Sequence, residues 1–565
     1  MTTMKTKLYI YNMVWVLAAV MLLGTLTTSC ERDNEVQALT NPFAPEEQDE
    51  EDDDDDEDDD DQPDAMTRQL SAIPGVSGVT KDFNTLTETY GYYFDVLQLV
   101  DNTDPTKGTF QQRCLLEIKD VAAPVMLYTN GNNLDNMLLN VGTHDVATYL
   151  NANTLYVEHR YFGTSLPEHS GNLDFTYHNA MQAAYDLHRV VTLLKQHLFN
   201  KGNKWVATGT GNCGINCTLY AYYSDQFGWD DIDLYMPFCA PFLTGTPQSP
   251  CDKSVGIYLT DVCGTGYPKG SPQEMACQRL RAYPDAIAND KVVRDACLQY
   301  LHVTNSNVYL QLLRDYPGDI EKAATVGALY VFYTNLAEKF SYIDFNDWCK
   351  LVPDPADYNT ADPKGDLRLQ EIADFAFMGR KELEQKLEED EEEEADQAPR
   401  RSAYSDEALV RLRADDPMMP YNIQAVRELG TPFPSFSLLP AGGFVTPDYC
   451  DQVFLTSLSA SALFGRYQGQ WDGGKLMKAV RSWTDTTRKH LVFVYGTNDY
   501  RTGGAIDSDT PWGKKAVNVN PRNSNVSKIR CVGGLYGHAF LEKDHYTTAA
   551  ANAIKQALDK HIGSK

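Results

Sequence analysis

No stretch of this sequence concentrates positive charge. Its 49 lysines and arginines are scattered among 79 aspartates and glutamates, for a formal net charge of −30. A protein holds nucleic acid through a basic face set against the phosphates, so nucleic acid is excluded as a partner. The 12 cysteines include no C-x-x-C pair, which removes the zinc and dithiol redox motifs, and nothing else in the chain calls for a metal or a cofactor. With Cys30 set aside an odd number of cysteines remains, so at least one thiol is free or paired between chains. The apolar run from Val14 to Leu23 is too short to cross a bilayer as a stable helix. Also missing, where the fold read below would need it, is the serine of a G-x-S-x-G turn.

The N-terminal end reads as an address. Lys5 and Lys7 precede the apolar run, and small and polar residues follow up to Cys30, the order of a secretory signal. Leu26-Thr27-Thr28-Ser29-Cys30 looks like a bacterial lipobox with its leucine one position early, so Cys30 is the expected lipidation site. Export as a bacterial lipoprotein facing the periplasm or the cell surface follows. Residues 46–64 hold sixteen acidic and no basic side chains, and residues 388–396 hold eight more. These two runs carry 24 of the 30 excess negative charges and leave about −6 for everything else. The first run repels itself and buries nothing. It is expected to be a solvated tether, a simpler role than weak calcium binding.

Apolar strands alternate with helical segments from Thr109 onward. Strands are predicted at 124–128, 154–158, 204–208, 234–238, 491–495 and 526–532. Helical spacing places Ala180, Ala184, Leu187, Val191 and Leu194 on one face of a helix over 177–199. Further helices are predicted at 215–223 and 547–561. This alternation implies an α/β protein with a mostly parallel sheet covered on both faces. Between about 240 and 440 the texture changes to turns and helical stretches such as 320–340, which reads as a helical cap over the carboxyl edge of the sheet. The expected organisation is a signal at 1–30, a tether at 31–80, a core at 81–240 and 441–565, and the cap at 241–440.

A Ser-His-Asp hydrolase draws a nucleophile, an acid and a histidine from separate strand ends. Asp499 follows one strand and His538 the last, in the required order. At the elbow the strand 204–208 runs into Gly209-Thr210-Gly211-Asn212-Cys213, with glycine in the nucleophile position. Glycine offers no attacking atom, though it accepts the strained backbone of such a turn at little cost. Cys213 is the alternative nucleophile, set against a reading as a small buried hydrophobe. Ser165 and Thr210 are weaker substitutes. Asn130, in the turn after strand 124–128, and Asn212 are candidates for oxyanion or substrate contacts. Glu158 and Arg160 stand at a strand's carboxyl end, where a carboxylate would hold a peptide's amino group. The competing reading is a structural ion pair.

Glu158-His159-Arg160-Tyr161-Phe162-Gly163-Thr164-Ser165, Gln182-Ala183-Ala184-Tyr185-Asp186-Leu187-His188-Arg189 and the strand Trp205-Val206-Ala207-Thr208-Gly209 resemble serine peptidase family thirty-seven. Gly108 to Arg113 and Ala425 to Gly430 add to the resemblance, which runs from about Asn84 to the C-terminus. It implies a secreted tripeptidyl aminopeptidase with an α/β-hydrolase fold and helical cap, with Asp499 and His538 as acid and base. Laid on the family's W-x-x-T-G-x-S-K-G-G, serine falls on Gly211, lysine on Asn212 and a glycine on Cys213. The expectation is a tethered, peptidase-like protein that is catalytically impaired and binds peptides or a protein partner in the capped cleft. The alternatives are an exopeptidase working through Cys213 or another nucleophile, and a purely structural surface lipoprotein.

Overall fold

The computed structural model describes residues 63–563, apart from 85–88, 132, 135–140, 170–171, 174, 246–266, 364, 393–418, 431–435, 437–438, 459–470, 507–511, 513–514, 532–533 and 536–547. The signal, Cys30, most of the acidic tether and His538 lie outside the described residues.

Ten strands form one sheet. They are β1 (Val76–Asn84), β2 (Thr89–Leu99), β3 (Thr109–Glu117), β4 (Val125–Thr129), β5 (Asn153–Val157), β6 (Trp205–Thr210), β7 (Leu234–Phe238), β8 (Leu491–Gly496), β9 (Val517–Asn520) and β10 (Asn523–Cys531). Their order across the sheet is β1-β2-β3-β5-β4-β6-β7-β8-β10-β9. The six central strands from β5 to β10 run parallel. The flanking β1, β2, β3 and β9 pair antiparallel. This is the α/β-hydrolase order, with the crossover of β4 and β5 beside the strand that leads to the elbow. Every residue of β4 to β8 is buried. Strands covered on both faces read as continuous apolar runs, which is why the sequence pattern finds them.

Helices α2 (Val141–Leu150), α3 (Ala180–His197), α4 (Asn212–Phe227), α11 (Lys475–Trp483) and α12 (Thr548–His561) cover the sheet. Leu187, Val191 and Leu194 of α3 join Met477 and Val480 of α11 against one face. Val146 and Leu150 of α2 meet Ile554 and Leu558 of α12 on the other. Between β7 and β8 lies the helical insertion. It contains α5 (Pro272–Asn289), α6 (Lys291–Thr304), α7 (Ser306–Asp315), α8 (Ile320–Tyr342), α9 (Leu367–Phe377) and α10 (Arg380–Glu392). Helix α8 is apolar nearly all round and runs through the middle of the insertion's own core. That core also takes in Val445, Cys450, Val453, Phe454 and Leu458. The cap therefore continues past the expected limit at 440, because the helix Pro447–Val453 packs its apolar face against it. The nine cysteines among the described residues are all buried, the placement of small hydrophobes.

The tether ends earlier than its composition suggests. Helix α1 (Ala65–Ser71) and most of β1 fall inside 31–80, and Leu70 and Ile73 are buried in the main core. Asp64, the last acidic residue of the run, is the N-cap. Its carboxylate accepts from the Thr67 N–H at 2.7 Å and from the Tyr92 hydroxyl at 2.8 Å, and it pairs with Lys81 at 2.9 Å. Burial works against its charge, but Thr67, Lys81 and Tyr92 outweigh it and hold the carboxyl well below the usual range.

After β5 the chain turns through Glu158, His159 and Arg160, all buried. Arg160 grips Asp186 of α3 with Nε to Oδ2 at 2.7 Å and Nη2 to Oδ1 at 2.8 Å. Its remaining N–H groups reach the carbonyls of Val100 at 3.0 Å, Tyr177 at 2.9 Å and Leu99 at 3.2 Å. All five guanidinium donors are used. His159 bonds the Arg160 carbonyl through Nδ1 at 2.8 Å. His178 reaches the Pro420 carbonyl through Nε2 at 2.8 Å, and the two rings stand edge to face at 5.5 Å. Burial pushes His159 down to about 4 and His178 well below its ordinary value.

Two outcomes follow from these contacts. Losing an N-cap costs about 1 kcal/mol, so Asp64→Ala should speed tryptic cleavage after Arg68 several-fold, because cleavage tracks the opened population. Deleting residues 46–61, which spares Asp64, should leave that rate unchanged. Buried neutral histidines take up fewer protons than they do in the unfolded chain. Stability should therefore be intact above pH 6.5 and fall as pH drops toward 4, by roughly 3 kcal/mol for His159. Urea unfolding of His159→Asn, which keeps a donor at the Nδ1 position, should show a shallower decline over that window than the unsubstituted protein.

Candidate active site

The carboxyl end of β6 and the start of α4 make a sharp elbow. Gly211 stands at its apex with φ 60° and ψ −117°, a conformation that strains any residue with a side chain. The Gly211 N–H donates to the Phe238 carbonyl of β7 at 2.9 Å, and its carbonyl accepts from Ile215 at 2.9 Å. One neighbour thus ties the turn to the sheet and the other to the helix. The N-terminus of a 16-residue helix stands at this bend and favours negative charge there. The backbone expected of a nucleophile elbow is in place, with glycine at the top.

Asp499 lies just past β8 and is fully buried. Its Oδ1 accepts from the Arg501 N–H and from Arg501 Nη1, both at 3.1 Å, and from Ser341 Oγ of cap helix α8 at 3.3 Å. Oδ2 is buried, and the Cys239 thiol adds a side-chain hydrogen bond to this carboxylate. Burial pushes this carboxyl's pKa up, against the pull of Arg501. One oxygen of this carboxylate is thus fastened to the core through Arg501 and to the cap through Ser341. Ser341 was not legible as a site residue. It sits within the apolar pattern of α8, and only the packing of cap on core brings it to Asp499. The turn carrying His538 lies outside the described residues.

Several expected site residues serve the scaffold instead. The Glu158 carboxylate accepts from the Leu134 N–H at 2.9 Å, from the Thr164 and Ser165 N–H groups at 3.1 Å, and from Ser165 Oγ at 2.8 Å. Fully buried and with both oxygens engaged by the chain, it is not presented to a substrate's amino group. Arg160 is committed to Asp186 in the same way. This ion pair joins the turn after β5 to helix α3, where the sequence reading sets it between neighbouring strands. Ser165 is buried, and its hydroxyl also accepts from the Arg113 N–H at 2.9 Å, so it is no nucleophile. Thr210 is a buried last residue of β6.

Cys213 is 3 % exposed and packs among Leu115, Tyr128, Leu134 and Tyr156. Burial raises its thiol pKa. A reactive thiol needs the opposite setting, so Cys213 does not fit the role of replacement nucleophile. Asn130 bonds the Asn133 carbonyl through Nδ2 at 3.2 Å, and its own carbonyl accepts from Asn216 Nδ2 at 3.0 Å. It shapes the loop after β4 and does not present its amide to a ligand. Asn212, half-buried at the first position of α4, keeps its place beside the elbow. Among the described residues no three His, Cys, Asp or Glu side chains are grouped to hold a metal ion.

Residues 61–265 match the family model for PS-10 peptidase S37. The prolyl tri/tetrapeptidyl aminopeptidase of Streptomyces mobaraensis is 31 % identical over 154 residues. That match covers 27 % of this chain and about 30 % of the relative's length. Among solved structures, the peroxisomal α/β-hydrolase Lpx1 of Saccharomyces cerevisiae aligns over 86 % of this chain and 88 % of its own, at 10 % identity and a TM-score of 0.31. Lipase A of Candida antarctica aligns over 35 % and 50 %, at 11 % identity and a TM-score of 0.23. The segment 61–265, which carries the elbow, is thus similar to the PS-10 peptidase S37 family, and the sheet around it has the α/β-hydrolase strand order.

Proposed function

We propose that this protein is a membrane-tethered relative of the tripeptidyl aminopeptidases that binds peptides, or a protein partner presenting one, without hydrolysing them by the serine mechanism. The observation that carries the reading is Gly211 at the apex of an intact elbow. The turn is built as a nucleophile turn, and it offers no atom to attack a carbonyl. A helix N-terminus aimed at the bend still provides polarity for a peptide carbonyl or carboxylate. Attachment through Cys30, with the acidic run as spacer, places the body outside the cytoplasm. The exopeptidase alternative loses support because Cys213 is packed among apolar side chains.

Fluorophosphonates react with activated hydroxyls, so the protein should not be labelled by them. Gly211→Ser should gain weak labelling that vanishes when His538→Ala is added. Serine must adopt a backbone that glycine holds freely, at about 1–3 kcal/mol, and a misplacement of about 1 Å costs about a hundredfold in rate. Labelling of the unsubstituted protein that disappears in His538→Ala would prove an active hydroxyl and end the proposal. For the anchor, Cys30→Ser should move the protein from the detergent phase to the aqueous phase, and unchanged partition would remove lipidation from the account.

A further inference from the structure

In this fold the oxyanion hole is assembled from two backbone donors. One is the N–H of the residue after the nucleophile, and the other is an N–H from the loop that follows the strand beside the elbow strand. Here those places fall to Asn212 and to the loop after β4. Gly131 in that loop lies hard against the elbow. A Cβ built on it would meet the Asn212 carbonyl carbon, Asn212 Cβ and the Cys213 nitrogen, each at 3.1 Å, so glycine is what allows the approach. Its N–H is already engaged, with Cys213 Sγ 3.1 Å from the Gly131 nitrogen. The same sulfur stands 3.6 Å from Asn130 Oδ1. A thiol both donates and accepts weakly. The S–H toward Asn130 and the lone pairs toward Gly131 form one consistent arrangement, with the Tyr128 side chain also bonded to the thiol and Leu115, Leu134 and Tyr156 packed around it.

We infer that the Cys213 thiol is a built-in occupant of the oxyanion-side donor at Gly131, holding Gly131 against the elbow and withholding that N–H from any bound carbonyl. The inference rests on reading the elbow as hydrolase-derived, as above. A glycine at position 213, which the G-x-S-x-G pattern has there, would leave the Gly131 N–H open to a ligand. With cysteine the donor is satisfied within the chain. The site is thus disarmed twice, at the nucleophile and at the hole, and replacing glycine by serine at 211 repairs only the first. Cys213 is a positioning residue in this account, since it acts through the Gly131 N–H.

Hydrogen exchange tests the contact without relying on activity. In Cys213→Ala the peptide spanning 129–134 should exchange at least about fivefold faster than in the unsubstituted protein, while peptides from the later turns of α4 exchange as before. Unchanged exchange at 129–134 with α4 intact would overturn the inference. A second arm compares fluorophosphonate labelling in Gly211→Ser and in Gly211→Ser combined with Cys213→Ala. The double variant should label at least about tenfold faster, and equal labelling by both would overturn the catalytic half of the inference. If neither variant labels, it is the dormant-site reading that has failed. The exchange result then still decides whether the thiol holds the Gly131 N–H.

Discussion

The bend at Gly211 is the constraint on which the site depends. A parallel strand buried on both faces must hand over to a helix within a single residue, and that residue must take a positive φ. In a serine hydrolase the strain of this turn presents a hydroxyl. In this chain glycine takes that conformation without strain, and the surroundings hold the turn in place. Gly211 keeps its bond to Phe238 of the neighbouring strand, and α4 starts at once behind it. The geometry of the elbow is fixed by the sheet and the helix, so it needs no side chain at position 211 to hold it.

The same logic explains why the residues that carry the family resemblance need not touch a substrate. Arg160 and Asp186 come from two separate blocks and meet as a fully buried, bidentate pair. A buried charge left without its partner costs several kcal/mol, so neither member can change alone. Glu158 does comparable work through hydrogen bonds, gathering the turn at Thr164 and Ser165 and the loop residue Leu134 onto one carboxylate. These contacts set the loop after β4 and the end of β5 in place around the elbow. They would be required whether or not the elbow carries a nucleophile.

What could be read from the sequence follows from where apolar residues are obliged to be continuous. Strands β4 to β8 are buried on both faces and show as unbroken apolar runs, so the sheet centre and the position of the elbow were legible. Strands β1 and β2 were not. Tyr92, Phe94 and Val96 alternate with exposed or half-buried neighbours, and the adjoining acidic run drew the tether boundary past Asp64. Asp499 was legible because a carboxylate follows a buried strand. Its tie to Ser341 was not, since it depends on how the cap docks. The direction of Glu158 and Arg160 was equally hidden, because two inward-facing ionic side chains at a strand end look the same in sequence as two that face a cleft.

The central claim is that peptide recognition outlives catalysis at this elbow. It is tested most directly by following binding and cleavage of one chromogenic tripeptide amide in the same sample of purified protein, with and without a thiol-blocking reagent. The account predicts saturable binding with no release of chromophore under either condition. Chromophore release at a rate proportional to protein, whether or not the reagent abolishes it, would contradict the claim.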